Sequence, residues 1–411
     1  MKRAPFARKK GPFSVPNEFS LYFFNKKAEL ITPIKTRRHL RCALQGEEEG
    51  ITMEPYEQKL QQLLQTVTGP DEKAREAAHQ KWNDCAKPLG SLGLLETAIE
   101  NIAALTGSTQ ISLTPRAVLV LCADNGVVAQ GVTQSASNVT AVVTENLAMK
   151  RTSVCRMAAV ANCKVVPVDM GVLNFPPTEG VLDRRIANAT GDISQGPAMT
   201  REQAAQAVLT GIDLVREQKE QGMRLLATGE MGIGNTTTTS AVACVLLQKP
   251  VAEMTGRGAG LSKEGLQRKI RAIEAALSKN QPDPNDPLDI ISKVGGFDIA
   301  GICGVFLGGA IYHVPVLADG FISTIAALCA VRMCPKAEKA IFASHVSAEP
   351  AGRMVLEALH RQPLITAGMR LGEGTGAVAA MPLLDMACAV YQESYTFEQG
   401  GIAHYVPYGD T

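Results

Sequence analysis

Apolar positions recur at two different spacings along the chain, and the change of spacing divides it. Leu60, Leu63, Leu64 and Val67 stand at i, i+3, i+4 and i+7, one stripe of an amphipathic helix that begins near Glu57 and is expected to stop at Gly69-Pro70. A second helix is predicted over 71–84. A third is predicted from near Ser91, with Leu92, Leu95, Ile99 and Ile102 on one face. After Pro115 the rhythm shortens to continuous apolar runs at 117–122, 164–168, 224–227, 314–317 and 340–343, the pattern of strands covered on both faces. Helices are predicted between them near 139–149, 201–219, 236–247, 262–277 and 299–312, the second opened by a capping-box pair, Thr200 and Gln203. Strand alternating with helix predicts an α/β fold, a doubly wound and mostly parallel sheet with a smaller helical part. The apolar run from Ile299 to Tyr312 falls short of the ~20 residues of a spanning helix and reads as buried core, so no membrane partner is expected.

Composition narrows the class. The 411 residues are 45% apolar and 20% charged, a globular balance, with a formal charge of +1. That near-neutrality hides an asymmetry. Residues 1–46 hold eleven Lys/Arg against Glu18 and Glu29, about +9, which leaves 30 basic and 38 acidic residues, about −8, in the rest. A mildly acidic body argues against nucleic acid as a partner, because neutralising phosphates needs a basic face. The ten cysteines form no C-x-x-C pair, and Cys122, Cys244, Cys303, Cys329 and Cys388 sit in apolar runs. They read as reduced thiols of a cytoplasmic protein rather than a secreted disulfide framework. The six histidines show no H-x-x-x-H spacing, so neither a metal nor another cofactor is expected.

Residues 1–52 stand apart. They are basic, contain Pro5, Pro12, Pro16 and Pro33, and show no amphipathic period. They read as a transit peptide, a disordered tail, or a start assigned too early. The third is preferred, because Gly46-Glu-Glu-Glu-Gly50 shortly before Met53 is what a purine-rich ribosome-binding sequence spells when translated.

In an open α/β sheet, ligands sit outside the carboxyl ends of the strands, and several predicted strands run into Gly- and acid-rich turns. In Gly229-Glu-Met-Gly-Ile-Gly-Asn-Thr-Thr237, glycines surround Glu230, and Asn235, Thr236 and Thr237 open a helix. Backbone N–H groups around Gly232 and Gly234, the helix N-terminus and the hydroxyls suit a phosphate. The segment is neither a dinucleotide fingerprint nor a P-loop, and an ordinary turn with a threonine cap is the plainer alternative. Thr255-Gly-Arg-Gly-Ala-Gly260, with Gly258 at its centre, precedes Lys263, Arg268 and Lys269. Lys269 can reach a phosphate as a point charge, or it belongs to a solvated basic face. Leu371-Gly-Glu-Gly-Thr-Gly376 sets Glu373 between glycines ahead of an apolar helix near 377–391. Such a carboxylate can have a raised pKa and act as a base, or be an ordinary acid favoured at a helix N-terminus. Ser344-His345-Val-Ser347-Ala-Glu349 holds the residue types of a hydrolase, but no G-x-S-x-G elbow exists. Donors to a ligand phosphate, Ser347 among them, are the better use.

Seven motifs taken in order carry a resemblance. They are Lys87-Pro-Leu-Gly-Ser-Leu-Gly93, Ala123-Asp-Asn-Gly-Val-Val128, the 229–237 turn, Gly256-Arg-Gly-Ala-Gly260, Gly295-Gly-Phe-Asp-Ile299, Ala318-Asp-Gly320-Phe321 and the 371–376 turn. Through them the chain from about 54 to 405 resembles the nicotinate-nucleotide–dimethylbenzimidazole phosphoribosyltransferases, which make the lower-ligand nucleotide of cobamides. The resemblance implies a Rossmann-like large domain over 111–370. It implies a small helical domain built from 53–110 and from a C-terminal helix and tail at 371–411, and a homodimer. It also implies transfer of the 5-phosphoribosyl group of nicotinate mononucleotide to a benzimidazole-type base. Glu373 matches the family's general base, Glu230 its second active-site glutamate, and Lys269 a phosphate-binding lysine. The base pocket is expected along Asn125, Thr133, Gln134, Ser135 and Leu371. Asn125 stands where the family often has His, and Ser135 where it often has an aromatic residue. The acceptor therefore stays open among dimethylbenzimidazole, another benzimidazole, adenine and a phenolic compound. The competing readings are a nucleoside hydrolase or phosphorylase, a non-catalytic nucleotide-binding module, and a membrane component built on 294–333. The presence of both glutamates speaks against the second.

Overall fold

The computed structural model describes residues 55–405, so the expectations for 1–52 lie outside the described residues. Six strands pair in one all-parallel sheet: β1 Arg116–Ala123, β2 Lys164–Gly171, β3 Leu182–Asp183, β4 Leu225–Met231, β5 Val316–Ala318 and β6 Ile341–Ala343. Their spatial order is β3-β2-β1-β4-β5-β6. This is the doubly wound order in which the chain reverses direction across the sheet between β1 and β4, leaving a crevice at their carboxyl ends. Every residue of β1 is buried, as its unbroken apolar run predicts.

The core helix forecast from 299–312 spans Phe297–Tyr312 and is buried from Phe297 through Ala310. Its glycines explain how a helix can lie so close to another. A Cβ at Gly304 would stand 1.9 Å from the Val208 carbonyl oxygen of helix Arg201–Glu220, and one at Gly211 would stand 2.0 Å from the Gly301 oxygen. Only backbone fits between these two helices. Among the described residues no helix is long and apolar enough to cross a membrane. Thr200 and Gln203 make the forecast capping box.

Element ends moved for local reasons. The first helix, Tyr56–Gln65, ends before Gly69-Pro70 because the Thr66 hydroxyl donates to the Leu63 carbonyl and closes it, so Val67 is buried outside the helix. The third helix, Leu94–Thr106, starts after Ser91. Glu96 in its first turn reaches back to the preceding segment, its carboxylate accepting from Leu92 N at 2.8 Å and from Lys87 Nζ at 2.7 Å. β4 runs past 227 through Glu230 to Met231, so the glutamate belongs to the strand end rather than to the turn. Helices at Ser153–Val160, Pro287–Val294 and Phe321–Met333 had no forecast of their own.

Helices from both ends of the described chain meet. The rings of Trp82 and Tyr391 lie 5.0 Å apart, and Cys85 bridges to Thr396. Arg116, at the start of β1, pairs with Asp385 of helix Thr375–Glu393 at 2.6 Å and donates to the Ala161 carbonyl. The helix that begins at the Glu373 turn is thus anchored to the central strand further along its length.

Candidate active site

The cavity that gathers most of the forecast residues opens outside the carboxyl ends of β4, β5 and β6, and no residue of β1 lines it. Glu230 and Gly232 reach it from β4 and its turn, Asp319 and Gly320 from β5, and His345 and Ser347 from β6. Asn235 and Thr236 enter from the first turn of helix Asn235–Leu247, whose N-cap is Gly234 in the left-handed region. Gly258 closes one side, and Leu371 with Glu373 closes the other.

Burial governs the charge here. The Glu230 carboxyl is pushed up to about 8, first by loss of water and then by Asp298 nearby. Asn235 holds both acids: its Nδ2 donates to Glu230 and, at 3.0 Å, to Asp298, whose own carboxyl is raised by burial to about 6. At neutral pH Glu230 therefore keeps its proton. Glu373 is also raised by burial, but the Val154 N–H at 3.4 Å and the Thr152 hydroxyl pull the other way. Those two groups stand at the N-terminus of helix Ser153–Val160, which favours a carboxylate.

Lys269 does not belong to a solvated face. It is buried, and its Nζ donates to Thr236 Oγ1 at 2.8 Å and to the Gly256 carbonyl at 3.2 Å. Burial lowers it to about 8 against the pull of Glu349. It therefore stands behind Thr236 and beside Gly258, whose hypothetical Cβ would lie 3.6 Å from Nζ.

The remaining forecast positions are further back. Asn125 is buried beneath the turn and accepts from the Thr238 hydroxyl at 3.2 Å. Thr237 is buried in the same helix, its hydroxyl without a partner among the described residues. Thr133, Gln134 and Ser135 do not line this cavity. Ser135 N donates to Thr133 Oγ1 at 3.3 Å, while the Gln134 amide reaches the Gly260 carbonyl, so this segment abuts the 256–260 loop. Ser344 does not point its hydroxyl at a substrate: its Oγ donates to the Ala318 carbonyl at 2.5 Å and lies 3.1 Å from His345 Nδ1.

Sequence reasoning passed over Asp298, Asp319 and Arg370. Both aspartates stood inside quoted motifs, directly after a predicted strand or before a predicted helix, and that position was the available signal. Arg370 brings a cation to the cavity wall and had no pattern to mark it. Among the described residues no three His, Cys, Asp or Glu are grouped to hold a metal ion, and the nine cysteines are free.

A sequence model described as a phosphoribosyltransferase matches residues 67–402. The chain belongs to this family. It is 46% identical over 348 residues to the nicotinate-nucleotide–dimethylbenzimidazole phosphoribosyltransferase of Acetivibrio thermocellus, a match that spans 84% of this chain and 99% of that one. The protein of the same name from Clostridium acetobutylicum is 42% identical over 348 residues, 85% of this chain and 99% of the other. A crystal structure of the like-named protein from Thermus thermophilus superposes with a TM-score of 0.75 at 37% identity, covering 82% of this chain and all of that one. Family membership makes this chain a pentosyltransferase enzyme with a Rossmann-like α/β fold.

Proposed function

We propose that this enzyme transfers the 5-phosphoribosyl group of nicotinate mononucleotide to 5,6-dimethylbenzimidazole or a related base, releasing nicotinate and forming the α-ribazole 5′-phosphate. The observation that carries this reading is a half-buried carboxylate, Glu373, facing the same cavity as the Gly-rich turn after β4. One imidazole nitrogen of the base attacks C1 of the ribose as the C1–N bond to nicotinate breaks and its electron pair neutralises the pyridinium. Attack from the face opposite nicotinate inverts C1. The proton on the other imidazole nitrogen passes to Glu373, whose raised pKa suits a base, an effect typically worth 10²–10⁴-fold. Holding the two reactants in line supplies much of the rest.

Glu230, protonated at neutral pH, offers a hydrogen-bond donor rather than a second negative charge. The phosphate end of the nucleotide is assigned to Thr236, Gly258 and Lys269, with Ser347, Gly320 and the N–H groups around Gly232 and Gly234 as further donors. A phosphate nearby would restore the full charge of the buried lysine. Leu371, beside Glu373 on the cavity wall, is assigned to the base side, whereas Asn125, Thr133, Gln134 and Ser135, expected there from the resemblance, do not line this cavity and receive no part in it. The resemblance further supports a cytoplasmic homodimer with 53–110 and 371–411 as its small domain.

The test is incubation with nicotinate mononucleotide and a panel of benzimidazoles, adenine and phenols, read by chromatography and mass. A ribotide of α configuration with equimolar nicotinate is expected. Nicotinate release without any acceptor product would instead mark a hydrolase.

A further inference from the structure

We propose that Asp319 is the positioning residue that holds Glu373 in its working place. This rests on the reading of Glu373 as the general base. Glu373 sits in an awkward stretch of backbone: Gly372, Glu373 and Gly374 all have positive φ, of 89°, 59° and 87°. A non-glycine residue there is sterically disfavoured unless its surroundings hold it. Two neighbours do so. On one side the Glu373 carbonyl lies against β4, where a Cβ at Gly229 would stand only 2.5 Å from it. On the other side stands Asp319, the first residue after β5. Its Oδ2 accepts from Gly374 N at 3.1 Å, and its Oδ1 accepts from Gly376 N at 2.7 Å and Ala377 N at 3.2 Å.

These three N–H groups belong to the N-terminal turn of helix Thr375–Glu393, whose N-cap, Gly374, has no side chain to cap it. A buried carboxylate from another strand therefore does the capping, where the helix dipole favours it. Both Asp319 oxygens are taken by the turn, and the nearest ring nitrogen, His345 Nδ1, is 3.9 Å away. Asp319 faces the cavity, yet its hydrogen bonds are spent on the backbone that carries Glu373, so it acts through that residue.

The test is a kinetic double-mutant cycle in the full chain, with Asp319→Asn and Glu373→Gln, alone and together. Asn keeps the shape but turns one acceptor into a donor facing an N–H. D319N is expected to lower kcat about 10²-fold, the scale of a roughly 1 Å misplacement, with KM for the nucleotide little changed. In the E373Q background the same change should cost almost nothing, because the group it positions is already disabled. Full additivity of the two losses, or a D319N effect confined to KM, would overturn the proposal. Hydrogen exchange at Gly374, Gly376 and Ala377 gives a second readout that does not depend on the chemistry. D319N, checked as folded by its thermal melt, should exchange these amides at least ten times faster than the parent. Unchanged exchange also overturns the proposal. An E373Q enzyme of full rate would remove the general-base reading by itself, and with it any catalytic purpose for the tether, even if exchange rises.

Discussion

Glu230 and Glu373 are both glutamates with glycine next to them in sequence, and burial raises both carboxyls against different opposing partners. Glu230 is fully enclosed beside Asp298 and is pushed up to about 8; Glu373 is half-enclosed and raised by burial, with the Val154 N–H and the Thr152 hydroxyl pulling the other way. Two outcomes follow at this scale. Glu373→Gln should cut kcat by about 10²–10⁴-fold with KM nearly unchanged, measured by nicotinate release at saturating base. Glu230→Gln should change how stability depends on pH. The unfolded chain releases this proton near 4.5, whereas the folded chain keeps it to about 8, so the parent loses stability as pH rises through that window. The glutamine variant has no such loss. Melting from pH 5 to pH 9 should therefore show the parent falling behind the variant by on the order of a few kcal/mol. Parallel curves would mean that Glu230 is ionised throughout.

At the scale of elements, contact between backbones decides what fits. Gly229 lets β4 touch the Glu373 turn, and a methyl group there would meet the Glu373 carbonyl at 2.5 Å. Gly229→Ala should therefore displace the turn, lowering kcat strongly while costing about 1–3 kcal/mol of stability by denaturant titration. Gly304→Val, at the crossing of helices Phe297–Tyr312 and Arg201–Glu220, touches no part of the cavity and should act on stability instead. With 1.9 Å to the Val208 carbonyl, it is expected to abolish soluble expression. Active, soluble protein would mean that the two helices can part without cost.

For the molecule as a whole, the family match begins at residue 67, and the relative from Acetivibrio thermocellus is matched over 99% of its own length by 84% of this chain. A chain begun at Met53 should accordingly keep full activity and the same melting temperature. Sedimentation should give twice the 43.7 kDa mass of the 411-residue chain, the homodimer that the resemblance implies. A monomer with full turnover would show that one copy suffices for the chemistry.

The periodicities carried the architecture a long way. Unbroken apolar runs marked five of the six strands, because a strand covered on both faces has no polar side to show. The strand that went unmarked, Leu182–Asp183, is too short to have a period. The Gly-rich turns also placed Glu230, Asn235 and Thr236 after a strand and Glu373 ahead of a helix, since local backbone demands are written in local residues. Lys269 shows where local reasoning stops: its helix looks basic and solvated on paper, and only the fold buries its amine against Thr236 and the Gly256 carbonyl. The Asp319 tether likewise joins residues 55 and more positions apart. Sequence alone determined the layers, the strand–helix alternation and the Gly- and acid-rich turns at several strand ends. Tertiary structure decided which acids lose water, which keep protons, and which hold another in place, because desolvation and hydrogen bonding depend on what the rest of the chain brings to the spot.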